Sequence, residues 1–363
     1  MRVLVANAGS SSLKLRVLEA DDRVSARADL PVVAHRMDAS AIERWLAPLG
    51  RVDVVGHRVV HGGAEFTCAV RVDDGVVHEL EALCDLAPLH QPLSLAVLAE
   101  LRRLLPDAPH VACFDTAFHA TLPPEASTYA LPAEWRARWG LRRFGFHGLS
   151  HAYASRRARA LTGDARRIVT CHLGAGASLA AVLDARSVET TMGFTPLEGL
   201  VMATRSGSLD PGLVLWLEQH TGMSADALAD ALEHRSGLLG LAGTADMREL
   251  EARAAACDVA ARLALDVYLH RLRAGIAAMT AAMGGIDAIV FTGGVGENSP
   301  LVRARAAEGL GFLGVRLDAA RNATGAGDRA IGAAGAPASA LVVPAREDLQ
   351  IAHETRAVMS AVT

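Results

Sequence analysis

Apolar runs in this chain repeatedly end on residues that could handle an anion or a metal. Val3–Ala6 stops at Asn7, passes through the tip Gly9-Ser10-Ser11-Ser12 and resumes at Leu13 and Lys14. Val54–Gly56 runs into His57 and Arg58, and Val111–Phe114 runs into Asp115. Ile286–Phe291 runs into Thr292-Gly293-Gly294-Val295-Gly296-Glu297-Asn298, and Ala340–Pro344 leads to Glu347. In α/β sheets ligands collect at the carboxyl ends of strands. Backbone N–H groups in a Gly/Ser tip can converge on phosphate oxygens. An Arg can grip a carboxylate or phosphate bidentately, and an Asp beside phosphates commonly serves a metal. A Gly-rich turn after a strand can hold a nucleotide through its backbone. Each feature alone also has a plainer reading, since a Gly/Ser tip is usually only a turn and Arg58 and Asp115 could be a surface ion pair.

Two further stretches carry chemistry-bearing types. Arg142-Arg143-Phe144-Gly145-Phe146-His147-Gly148-Leu149-Ser150-His151 gathers cations, aromatics and histidines around glycines. His147, on an irregular segment, is the site candidate there. Thr190 to Gly212 is a long stretch rich in glycine and hydroxyls with Arg205 at its centre, and loops of that length in a compact domain are usually functional. Lys14 is the sole lysine of the chain. Keeping an ammonium at the hairpin while every other strong cation is Arg suggests a demand for a compact, mobile charge.

The elements that must place these residues follow from the pattern. Residues 2–17 read RVLVANAGSSSLKLRV and residues 167–182 read RIVTCHLGAGASLAAV. Both show an Arg, an apolar strand, a polar residue (Asn7, His172), a glycine two positions on, a small-residue turn and a closing strand. Such an echo at long spacing marks a duplicated domain and not a short-period repeat. Two halves, each opening on a phosphate-competent hairpin, would face each other across a cleft. Helices are expected over Leu93–Leu105, Tyr153–Leu161, 213–235 and Glu249–Met283, with turns at 236–248 and at the glycines after Phe291. The boundary is expected near 148–152, giving domains 1–149 and 150–348, with the final helix, 349–363, packing back on the first.

Composition narrows the class. The chain has 363 residues, 51% of them apolar, 21% charged, and a net charge of −4. That is a globular, two-domain composition. With no blocks of like charge, it argues against nucleic-acid or membrane-surface partners. No apolar run approaches the roughly 18 residues that would span a bilayer. No signal peptide is visible, and the five cysteines form no CxxC pair, which suits a reduced, cytoplasmic setting.

Taken together, NAGSSSLK, GHRVVHGG, LAPLHQP, FDTAFH, RRFGFHGLSH, HLGAGAS, TPLEGLVMATRSGSLDPG, GTADMRELE and GGVGEN resemble the acetate kinase family, in that family's order and across nearly the whole chain. The family belongs to the fold group of sugar kinases, Hsp70 and actin. The resemblance implies an α/β fold of two duplicated actin-like (ribonuclease H-like) domains around a nucleotide-binding cleft. It implies transfer of the γ-phosphoryl group of ATP to acetate, giving acetyl phosphate and ADP, and the reverse. It implies Mg²⁺ (or Mn²⁺) positioned by Asn7 and Glu347, Asp115 at the active centre, and Arg58 on the substrate carboxylate. Arg205 and His147 would stabilise the phosphoryl group in flight, and Val60, Leu89, Phe146 and Pro196 would receive the acyl chain. Lys14, Ser10, Ser12, His172, Leu173, Gly174, Ala175, Gly176, Asp246, Met247, Arg248, Gly294, Val295, Gly296, Glu297 and Asn298 would hold the nucleotide. A homodimer through the second domain is implied too. A carboxylate acceptor is ionised at neutral pH, so Asp115 reads as a positioning and electrostatic group and not a proton acceptor.

The chain departs from the pattern at Ala175, where the family usually has Asn, at Ala203, where it usually has Gly, and at ARED around Glu347, where it usually has TNEE. The missing amide at 175 predicts weaker or altered binding of the phosphate donor. A propionate or butyrate kinase of the same family is the near alternative, since one methylene discriminates by only about 1–3 kcal/mol. A non-catalytic actin- or Hsp70-like nucleotide module is the alternative from another class. It would not need Arg58, His147 and Arg205. A degenerate homologue would show further losses of charged site residues.

Overall fold

The computed structural model describes residues 1–9, 12–33, 37–87 and 91–361. Ser10 and Leu89 lie outside the described residues. The chain divides into two compact units, one of Met1–Ala120, His147–Tyr153 and Arg346–Thr363, the other of Thr121–Phe146 and Ala154–Ala345.

The first unit is built on a sheet of β1 (Val3–Ala8), β2 (Ser12–Leu18), β3 (Val24–Pro31), β4 (Val54–Val59), β5 (Val70–Arg71) and β6 (His110–Phe114), in the order β3-β2-β1-β4-β6-β5. The second is built on β7 (Arg167–Leu173), β8 (Ala177–Leu183), β9 (Arg186–Thr190), β10 (Ala288–Thr292), β11 (Arg329–Ala330) and β12 (Ser339–Val342), in the order β11-β12-β10-β7-β8-β9. Read from β9, the second order is the first with every strand advanced by six. Pairing directions repeat as well. The opening three strands are antiparallel neighbours in each sheet. The inner pairs β1–β4–β6 and β7–β10–β12 are parallel, and a short antiparallel strand closes each edge. The echo between residues 2–17 and 167–182 is therefore an echo of whole sheets.

Burial explains why the inner strands read as continuous apolar runs. Leu4, Ala6 and Ala8 face one core with Leu13, Leu15, Ile42 and Leu101. Val3 and Val5 face another with Val54, Val111, Ile351 and Ala352. A strand covered on both faces needs no polar alternation. The period of two then puts Asn7 on the Val3–Val5 face, the one covered by the helix Glu347–Ala361.

Several helices differ from the expected ones. The run 213–235 is two helices, Pro211–Thr221 and Ala225–His234, broken where Gly222 takes φ +70. The run 249–283 is Met247–Ala255 and Val259–Ala282, parted at Cys257 with φ +68. The turn 236–248 contains the helix Gly237–Ala242. The glycines after β10 form the helix Gly293–Asn298, and the helix expected from Tyr153 begins at Gly148. Among the described residues no helix is long and apolar enough to cross a membrane.

Candidate active site

In the first unit, four expected site residues converge at strand carboxyl ends. Arg58 lies near the end of β4 and Asp115 directly follows β6. The guanidinium holds the carboxylate through Nε at 3.0 Å and Nη2 at 2.5 Å, while its Nη1 donates to the Ala8 carbonyl at 2.7 Å. Asp115 is 2% exposed and the Arg58 side chain 15%, so the pair is largely shielded from solvent. Burial pushes the Asp115 carboxyl up, Arg58 pulls it back, and Glu347 adds to the upward push. Burial also opposes the Arg58 charge, but Asp115 and Glu347 outweigh it and its pKa is raised. Of the five N–H groups of an Arg, three are engaged in these bonds. Arg58 is thus first a clamp on Asp115, with only an outer edge left for a ligand. This sharpens the expectation that it simply grips substrate.

Asn7 donates from Nδ2 to Glu347 Oε2 at 2.7 Å across 340 positions of sequence. The helix Glu347–Ala361 brings its first residue over the end of β1, as the packing of Ile351 on Val3 and Val5 requires. Asn7 Oδ1, Glu347 and nearby Asp115 are hard oxygen donors. Among the described residues no group of three or more His, Cys, Asp or Glu could cage a metal. Hard oxygen donors of this kind fit an ion of the Mg²⁺ type, which keeps waters and takes substrate phosphates beside one or two carboxylates. Lys14 pairs directly with Asn7 across the hairpin and is exposed, and Ser12 opens β2. The turn is closed by Gly9 N–H to Ser12 O at 2.9 Å. His147 sits just before the helix Gly148–Thr162 with φ +57. A left-handed backbone on a non-glycine residue costs about 1 kcal/mol or more and clusters at functional sites. Gly148 N–H donates to the Asp115 carbonyl at 2.8 Å, so the His147 turn is tied to the carboxylate's own backbone. Val60 is buried at 4% exposure.

In the second unit, a cavity of about 580 Å³ is lined by Gly174 and Ala175 after β7, Asp246, Met247 and Arg248, and Gly294, Val295 and Asn298. Eight of the expected nucleotide residues thus share one cavity, of the size that takes a drug-sized ligand. Asp246 caps the helix Met247–Ala255 by accepting from Arg248 N–H. It is also paired with the Arg248 guanidinium, which lowers its pKa to about 2. Gly293 takes φ +78, and a Cβ there would come within 2.8 Å of the Leu173 carbonyl. Only glycine lets the helix Gly293–Asn298 start that close to β7.

Other expected nucleotide residues support this wall from outside the lining. Leu173 is fully buried in β7, and Gly176 closes the turn by accepting from Gly174 N–H. Gly296 is buried. Glu297 points its Oε1 to Ala345 N–H at 2.9 Å, tethering the segment after β12. His172 lies at the end of β7, in register with Thr292. Ala203, Leu238, Ala245, Glu251, Tyr268 and Ser299 also line the cavity and were not foreseen. Ala203, Ala245 and Glu251 lie inside the quoted motifs, and Ser299 directly follows the last of them. Leu238 and Tyr268 carry no signal, because an apolar residue on a helix reads as core. Arg205 donates from Nη1 to the Pro196 carbonyl at 3.3 Å, and burial lowers its pKa, although an Arg stays charged. Phe146 is 1% exposed.

The model of the acetokinase family matches residues 22–353 of this chain. A protein named acetate kinase from Clavibacter michiganensis subsp. michiganensis is 44% identical over 389 residues, covering 98% of each chain. The crystal structure of Porphyromonas gingivalis acetate kinase superposes with a TM-score of 0.90 at 34% identity over 99% of both chains. That of a propionate kinase from Francisella tularensis superposes with a TM-score of 0.91 at 32% identity, over 98% of this chain and 99% of the other.

Proposed function

The chain belongs to the acetokinase family, and on that premise we propose that it transfers the γ-phosphoryl group of ATP reversibly to acetate. A carboxylate oxygen attacks the γ-phosphorus and the new O–P bond forms as the β–γ bridge bond breaks. ADP leaves with the electron pair, and the product is acetyl phosphate.

The observation that carries this reading is the lock on Asp115. A kinase acting on a hydroxyl needs a carboxylate free to accept the hydroxyl proton. Here the Asp115 oxygens are held by Arg58 Nε and Nη2. An acid that is already ionised needs no base, so this site suits a carboxylate acceptor. The outer edge of Arg58 orients that carboxylate, while Asp115 holds Arg58 in place. Val60, Phe146 and Pro196 supply apolar surface for the acyl chain. Arg205 and His147 meet the charge spread over the phosphoryl oxygens, the main task in phosphoryl transfer. The cavity of the second unit takes the nucleotide, with Met247, Leu238 and Val295 in its lining. Asn7 and Glu347 would hold a Mg²⁺ ion, which would neutralise phosphate charge. Lys14 and Ser12 add donors for phosphate from the first hairpin.

The helix Pro211–Thr221 has no buried residue, and Leu213, Leu215 and Trp216 are 44%, 55% and 52% exposed. We propose that a homodimer covers this apolar face, which light scattering would test. A cytoplasmic location agrees with the five free cysteines. The reading is tested by ATP-dependent acyl phosphate formation on acetate, propionate and butyrate, trapped as hydroxamate. Turnover highest on acetate supports it. A preference for propionate moves the assignment to the neighbouring activity, and no turnover on any acid overturns it. Arg205→Ala should lower kcat by orders of magnitude while ATP binding is kept.

A further inference from the structure

The segments that carry Phe146 and Pro196 are laced together by a polar network outside the expected site. Tyr129 stands at its centre. Its hydroxyl accepts from Phe194 N–H at 2.9 Å and donates to Glu198 Oε2 at 2.6 Å. The other Glu198 oxygen accepts from Arg143 Nη2 at 2.8 Å. Arg143 Nη1 donates to the carbonyls of Thr191 and Met192, at 3.3 and 3.0 Å. The backbones are joined as well, since Phe144 N–H and Gly145 N–H both donate to the Gly193 carbonyl, at 3.1 and 3.2 Å. Arg143 lies over the Tyr129 ring at 5.6 Å, and the Phe144 and Phe194 rings meet at 5.9 Å.

The network closes tightly over Gly193. A Cβ on Gly193 would fall 1.8 Å from Glu198 Oε2 and 2.1 Å from the Tyr129 hydroxyl. Both atoms are side-chain ends, so a larger residue at 193 would have to push Glu198 and Tyr129 out of their present bonds. Phe146 follows the bonded Gly145 at once, and Pro196 lies between the bonded Phe194 and Glu198. The far end of the lacing is Arg205, which donates to the Pro196 carbonyl.

We propose that Tyr129, Arg143 and Glu198 are positioning residues that set the acyl-chain selectivity of the transfer, by fixing the Phe146 segment against the Pro196 segment. The inference rests on the proposed phosphoryl transfer to a short carboxylate. An apolar wall rejects an extra methylene only if it cannot move aside, and that rejection is worth about 10- to 200-fold. The network makes the wall stiff. Tyr129→Phe removes one oxygen and with it both the Phe194 and the Glu198 bonds, while ring packing is retained. Glu198→Gln keeps oxygen and nitrogen in place of the carboxylate, whereas Glu198→Ala removes the link altogether.

The test is the ratio of kcat/KM for propionate to that for acetate in the wild type, Tyr129→Phe, Glu198→Ala and Glu198→Gln, with the KM for ATP measured beside it. In Tyr129→Phe and Glu198→Ala the ratio should rise at least about fivefold, carried by KM for the acids. KM for ATP should stay within about twofold, and Glu198→Gln, which keeps one of the two acceptors, should recover part of the selectivity. An unchanged ratio in Tyr129→Phe and Glu198→Ala overturns the inference. So does an equal fall for both acids with a matching rise in KM for ATP, which is the mark of general damage. Should Glu198→Ala not fold, Tyr129→Phe, lacking a single atom, decides alone. Failure of the underlying reading is a separate result, seen as a wild type that turns over neither acid.

Discussion

Replacing Arg58 separates its two tasks, because the geometry assigns them to different N–H groups. Nε and Nη2 hold Asp115 and Nη1 holds the Ala8 carbonyl, while on the proposed function the remaining N–H groups would meet the acceptor carboxylate. Arg58→Ala therefore strands the Asp115 carboxylate at 2% exposure with Glu347 close enough to raise its pKa further. Removing one partner of a buried ion pair costs about 3–5 kcal/mol. The lower end applies here, because the Arg58 side chain is 15% exposed and water can enter the gap. The catalytic loss is separate. A charge-assisted contact to the substrate carboxylate contributes about 1.5–3 kcal/mol, so kcat/KM for acetate should fall about 10- to 150-fold from that contact alone. Arg58→Lys keeps the charge but has a single ammonium in place of the fork. It should preserve much of the stability and still raise KM for acetate about tenfold or more. The assay is steady-state kinetics with acetate varied at saturating ATP, and then the reverse, alongside thermal melting. The reasoning is refuted if Arg58→Ala keeps kcat/KM for acetate within about threefold, or if KM for ATP rises as much as KM for acetate.

His61 is fully buried, and burial lowers its pKa to about 4. Its folded pKa lies below the unfolded value of about 6.5, so stability is complete above pH 6.5 and falls as the pH drops toward 4. At pH 5 the loss relative to pH 8 is about 2 kcal/mol from this group alone. Melting curves across pH should show that decline shrinking in His61→Asn, and an equal decline in the variant would contradict it. Gly293→Ala forces a Cβ to within 2.8 Å of the Leu173 carbonyl at φ +78. KM for ATP should rise severalfold with KM for acetate little changed. His147→Asn retains a residue that tolerates φ +57. It should leave melting within a few degrees while kcat drops by at least about tenfold, the scale of a lost transition-state contact.

The hairpin Val3–Leu18 was legible because its turn is local chemistry, with small residues between two apolar runs. The duplication was legible for the same reason, since each half opens on the same local device. The family resemblance put Asn7 and Glu347 together only as metal ligands, and the bond between them had no signal, because nothing local links residues 340 positions apart. Helix breaks at Gly222 and Cys257 were missed where apolar periodicity ran through them. Gly222 is an ordinary left-handed terminator, but Cys257 adopts that conformation with no residue-type signal. In the cavity, Asp246 and Gly294 announced themselves by motif. Tyr268 and Leu238 did not, since only tertiary packing decides whether an apolar helical residue meets core or ligand. Arg58 was expected only to grip substrate, whereas its fork is engaged with Asp115. A fork that grips a neighbouring carboxylate and one that grips a substrate look alike in sequence.

On the proposed function, phosphoryl passes from ATP to a carboxylate without a general base. Phosphorus-31 NMR of the purified protein with ATP, Mg²⁺ and acetate tests it most directly. An acyl phosphate resonance and ADP should grow in equal amounts, with the rate flat from about pH 6 to 8 once stability is allowed for. ADP appearing with inorganic phosphate alone, or with no new phosphorus species, would contradict it.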